Sequence, residues 1–104
     1  MEYSEETYLK ANKLKFRFSL LNLINTCQSI KNEFVEEQEF VEACDWREYE
    51  RFFIKILELY DSDKLSDDIY LKDISNIEEL LRNQRQKNKI SRERFLKLIK
   101  IQLL

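Results

Sequence analysis

Residues 45–60 read DWREYERFFIKILELY, and their apolar positions set the secondary-structure class. Trp46, Tyr49, Phe53, Ile56 and Tyr60 recur at steps of three and four, with Phe52, Leu57 and Leu59 beside them. That is the stripe of an amphipathic helix, since a strand would alternate every second residue. Asp45 followed by Glu48 has the pattern of a capping box, so a helix is expected to open there and lie at the centre of the core.

Upstream, Ser4 precedes Glu5 and Glu6, the acidic first turn that suits the positive end of a helix dipole. Leu14, Phe18 and Leu21, with Leu20, Ile24 and Cys27, then predict a helix over about residues 5–30. Leu14, Phe16, Phe18 and Leu20 also alternate with polar residues, a strand period, but no hairpin turn lies nearby. Asn32 is placed to cap a second segment over about 33–44, with Phe34, Phe40, Val41 and Cys44 as its apolar residues. Downstream, residues 61–68 read as a loop. Ser75 with Glu78 forms another capping-box pattern, for a helix to about Lys87 that Asn88 ends. Ser91 is placed to cap a last helix burying Phe95, Leu98, Ile99 and Gln102 or Leu103. The expectation is an all-α fold, a small single-domain bundle of about five helices spanning residues 1–104.

A chain of 104 residues supports one hydrophobic core. With 43% apolar and 37% charged residues it reads as a water-soluble, cytosolic protein, and its acidic start does not resemble a basic secretory leader. Gly, Pro and His are all absent. No glycine-rich phosphate loop, histidine base or histidine metal ligand is therefore available. Two cysteines cannot fill a structural zinc site, and both Cys27 and Cys44 have the apolar neighbours of buried thiols. Asp61 and Asp63 have the opening spacing of a calcium loop, but Ser66 stands where glycine turns that loop and Lys72 where its bidentate glutamate belongs. No catalytic set, metal or cofactor is indicated, and the chain reads as a non-enzyme.

Charge is strongly partitioned. Residues 1–31 carry five basic and three acidic side chains, residues 32–68 four and thirteen, and residues 69–104 nine and four. No Lys or Arg occurs from Asn32 to Trp46, while Glu33, Glu36, Glu39, Glu42, Asp45 and Glu48 fall at every third position. On one helix such carboxylates would form a slanting acidic ridge, costing about 0.2 to 0.5 kcal/mol per like-charged pair. A ridge of this kind offers a basic cleft what a nucleic-acid backbone offers.

The leading expectation is a protein-binding inhibitor, a bacterial immunity or antitoxin protein that blocks the basic substrate cleft of a nuclease toxin. Glu33, Glu36, Glu39, Glu42 and Glu48 would meet the cleft, with Trp46 and Tyr49 as aromatic anchors beside them. Abundant Lys, Asn, Ile, Glu, Tyr and Phe with scarce Ala fit an A/T-rich coding region of the kind mobile elements carry. The alternative is a nucleic-acid-binding regulator using Arg82, Arg85, Lys89 and Arg92, within a stretch holding eight basic residues and one acid from Arg82 to Lys100. A phage-encoded inhibitor of a host nucleic-acid enzyme would share the first mechanism.

Overall fold

The structure, a computed structural model, describes residues 4–86 and 90–103. Four α-helices make up most of it: α1 (Glu5–Glu36), α2 (Phe40–Asp61), α3 (Asn76–Gln86) and α4 (Arg92–Leu103). A short 3-10 helix, Asp67–Leu71, lies between α2 and α3. No strand occurs among the described residues.

The all-α class is as expected, but the helix breaks lie elsewhere. Helix α1 passes through Asn32 without interruption and stops only at Glu36. Helix α2 begins at Phe40 and passes through Asp45, so neither Asn32 nor Asp45 is a cap. The two expected segments 33–44 and 45–60 are thus redistributed, and five helices become four. A helix continues wherever its apolar face still meets the core, and potential caps within it are simply overridden.

Helices α1 and α2 form an antiparallel hairpin. Pairs across it, Lys31 with Glu50, Arg17 with Asp61 and Phe16 with Tyr60, descend in register from the connecting turn. On α1 the buried residues are Phe16, Leu20, Leu23, Cys27, Ile30 and Phe34, alternating steps of four and three. That spacing is the seam of a coiled-coil-like contact. It leaves Leu14 and Phe18 on the opposite side, 61% and 67% exposed, contrary to the expectation that they face the core. On α2 the buried stripe is Ala43, Trp46, Tyr49, Phe53 and Ile56, as its periodicity indicates.

Contacts at both ends set the direction of the remaining helices. Arg85 of α3 reaches Glu33 near the hairpin turn, so α3 runs alongside α1 in the same direction. Arg92 at the start of α4 meets Asp45, and Leu103 at its end accepts a hydrogen bond from Lys72 at 3.3 Å, so α4 runs back down. The order is up, down, up, down. Leu81, Ile77, Phe95, Ile99 and Leu103 complete the core against the hairpin.

Local caps explain the starts of two helices, α1 and α4. Ser4 Oγ accepts from Thr7 N at 3.2 Å and Ser91 Oγ from Arg94 N at 3.3 Å, as the sequence indicates. Ser75 behaves differently from the expected capping box. Its hydroxyl and backbone N–H both donate to Asp73 Oδ1, at 2.6 and 3.0 Å, and these two bonds hold the Asp73 carboxyl below its usual pKa. Expected end points Lys87 and Asn88 lie outside the described residues. Cys27 is buried as expected, whereas Cys44 is exposed.

Candidate partner-binding site

The connection between α1 and α2 is built by backbone hydrogen bonds. Glu39 N donates to Phe34 O at 2.8 Å and Gln38 N to Val35 O at 3.0 Å, the paired bonds of a Schellman turn. Gln38 takes the left-handed conformation with φ of 62°, the position where glycine is usual. The turn is compact. It brings Glu36, Glu37 and Glu39 together at one end of the long hairpin, all exposed, with Glu42 half-buried one turn into α2.

The electrostatics of this tip are unfavourable on one side. Glu33, Glu36 and Glu37 sit at the C-terminus of α1, the negative end of its helix dipole, and no basic residue lies in that last turn. Each carboxylate so placed costs about 0.3 to 1 kcal/mol relative to a favourable terminus. Glu42, in the first turn of α2, sits at a positive end and is already engaged within the chain. Arg85 of α3 answers Glu33. Among the described residues no ion pair joins Glu36, Glu37 or Glu39.

Exposed apolar side chains flank these carboxylates. Val35, Phe40 and Val41 surround the turn, and Phe40 and Val41 are 60% and 75% exposed. They take the surface position that the sequence reading assigns to Trp46 and Tyr49. Those two rings are in the core, 2% and 1% exposed, packed edge-on at 5.1 Å, and they are not surface anchors. Tyr49 packs further against Phe95 at 4.8 Å.

The acidic series is therefore no single ridge. It crosses from α1 through the turn into α2, and its members separate. Glu33 is paired with Arg85, Asp45 with Arg92 at 3.8 Å and Glu48 with Arg51 at 3.4 Å. Glu48 lies about 13 Å along α2 from Glu39, by helical rise. Glu50 turns inward to Lys31 at 2.9 Å. Glu37, Val35, Phe40 and Val41 join the tip although the sequence reading leaves them out of the site. Their signal is hidden because the chain has no Gly or Pro to mark the turn.

The alternative basic set is largely committed inside the molecule. Arg82 pairs with Glu78 at 3.0 Å, Arg85 with Glu33 and Arg92 with Asp45. Lys89 lies outside the described residues. Nucleophilic chemistry finds little support at Cys27, whose thiol pKa is pushed up by burial and by the nearby Glu50 carboxylate. Among the described residues no group of three or more Cys, Asp or Glu side chains is placed to hold a metal ion. No helix there is long and apolar enough to cross a membrane.

The fold defines the class as an antiparallel four-helix bundle on a long helical hairpin. Comparison of the chain with protein-family models, with curated proteins and with solved structures finds no match.

Proposed function

We propose that the chain is a binding protein that lays the α1–α2 tip into a basic cleft of another protein, as an immunity or antitoxin protein does when it blocks a nuclease toxin. One observation carries the reading: the tip holds carboxylates at the unfavourable end of α1, with no cation among the described residues on Glu36 or Glu37, next to exposed Phe40 and Val41. A basic partner relieves that repulsion on binding. The charges raise the association rate, and the two apolar side chains supply a contact that loses water.

Glu36→Lys with Glu37→Lys tests the proposal cleanly, because cations at that helix end favour the fold. Affinity capture at low salt first identifies a basic protein, and association kinetics are then measured with that protein. The double variant is expected to associate at least tenfold more slowly at low salt and to differ much less at high salt. A variant with Glu58→Lys and Glu79→Lys, exposed acids away from the tip, is expected to differ little. Equal association of the tip variant and the parent would reject the tip. Recovery of nucleic acid that salt removes would instead move the function to Arg82, Arg85, Lys89 and Arg92.

A further inference from the structure

Between α1 and α3 runs a groove of about 410 Å³, within the range of small-ligand and peptide sites. Its α1 wall carries Asn22, Asn25, Thr26 and Ser29 along one helical stripe, continued by Ile30 and Glu33. None of the four polar side chains, Asn22, Asn25, Thr26 and Ser29, hydrogen-bonds to another described residue. A stripe of carboxamides and hydroxyls beside a second helix contributes nothing to core packing. It offers both donors and acceptors to whatever enters.

The opposite wall decides the kind of occupant. Arg82 and Arg85 line it, but each guanidinium is already paired, with Glu78 and with Glu33, and those two acids line the groove as well. The charges cancel. A polyanion gains no net attraction there, and neither does a polycation. What matches the lining is a neutral chain that presents alternating N–H and C=O groups, an extended peptide backbone. From Asn22 to Glu33 the groove runs about 16 Å along α1 at 1.5 Å per residue, the span of roughly five extended residues at 3.3 Å. One turn past Glu33 the same flank of α1 reaches Glu36, so a peptide leaving the groove arrives at the acidic tip.

We infer that the α1–α3 groove binds an extended peptide segment of a protein partner, uncharged and polar within the groove and basic at the end that reaches the tip. The basic end rests on the function proposed above; the groove does not.

Three probes separate the possibilities in amide and side-chain NMR spectra of the whole chain. The first is a blocked heptapeptide of two lysines joined to five serine, asparagine and glutamine residues, the second the same peptide without the lysines, the third a ten-base oligothymidylate. At about 1 mM, a concentration suited to a handful of solvent-exposed hydrogen bonds, both peptides are expected to shift the Asn22 and Asn25 carboxamides and the Arg82 and Arg85 Nε–H signals. The lysine peptide is expected to bind at least threefold more tightly at low salt and to shift Glu36 and Glu37 in addition. Asn22→Ala with Asn25→Ala is expected to abolish the groove shifts while leaving the remaining spectrum folded. Equal binding of the two peptides would leave the groove standing and count against the tip. Absence of groove shifts with both peptides, or shifts only with the oligothymidylate, would overturn the inference.

Discussion

Cys27 lies on the core face of α1 among Leu23, Ile30 and Tyr49, whereas Cys44 opens to solvent on α2. Because the thiolate is the reacting form and burial raises the Cys27 pKa, a thiol reagent is expected to label one cysteine per folded chain, Cys44. Two are labelled after denaturation; fast double labelling of the native protein would contradict this. Gln84 is the second residue whose burial carries a consequence. Its Nε2 donates to Ile90 O at 2.7 Å and to Tyr49 Oη at 3.4 Å, and its Oε1 accepts from Ile90 N at 3.3 Å. One carboxamide thus ties the α3–α4 connection to the core. Gln84→Ala leaves those backbone groups and the Tyr49 hydroxyl without partners and is expected to cost about 2 to 3 kcal/mol in urea denaturation. A change under about 0.5 kcal/mol, the scatter of ordinary surface substitutions, would show that the clamp is unimportant.

Helix ends in this chain are made without glycine. Gln38 and Asp63 close α1 and α2 in the left-handed conformation, with φ of 62° and 55°. Asp63 has the same pair of turn bonds as Gln38, with Lys64 N donating to Leu59 O at 2.9 Å and Asp63 N to Tyr60 O at 3.0 Å. A side chain with a Cβ costs about 1 to 2 kcal/mol there, and glycine removes that cost while losing more chain entropy on folding. Gln38→Gly is expected to raise stability by up to about 1 kcal/mol, read as a higher urea midpoint at unchanged slope. A lower midpoint would mean that the Gln38 side chain holds the turn. The tip and the hairpin share this position, so the same variant measures how strongly the site geometry depends on it.

The whole molecule is long for its size. Its Cα radius of gyration is 15.2 Å and its extents are 54 × 24 × 21 Å. A compact chain of this length would have a radius of about 13 Å. The excess comes from the 32-residue α1, which extends past the much shorter α3 and α4. Holding such a hairpin in register falls partly to the Lys31–Glu50 pair, which joins α1 to α2 with Glu50 among the few buried polar residues. Glu50→Ala strands an ammonium that keeps about a quarter of its exposure. The expected loss is about 2 to 3 kcal/mol, below that of a fully buried pair. Replacing both partners, Lys31→Met with Glu50→Leu, is expected to restore stability to within about 1 kcal/mol of the parent. A double variant as unstable as the single one would show that the pair does more than satisfy its own charges.

Without tertiary context, the amino acids specified helices and one core, because the three- and four-residue spacing of apolar side chains is a property of the chain alone. The stripe from Trp46 to Tyr60 and the caps at Ser4 and Ser91 were legible for that reason. Three matters waited on packing. Where α1 yields to α2 depends on which surface the core covers, since no Gly or Pro breaks the chain at residue 37. Which of two apolar stripes on α1 is buried, Phe16–Leu20–Leu23 or Leu14–Phe18–Leu21, depends on the face α2 occupies. Which carboxylates find a partner among the described residues depends on where the arginines of α3 and α4 arrive: Arg85 takes Glu33 and Arg92 takes Asp45, whereas none of the described cations pairs with Glu36, Glu37 or Glu39. Spacing along a chain records periodicity, whereas pairing between distant residues is set by the docking of whole helices.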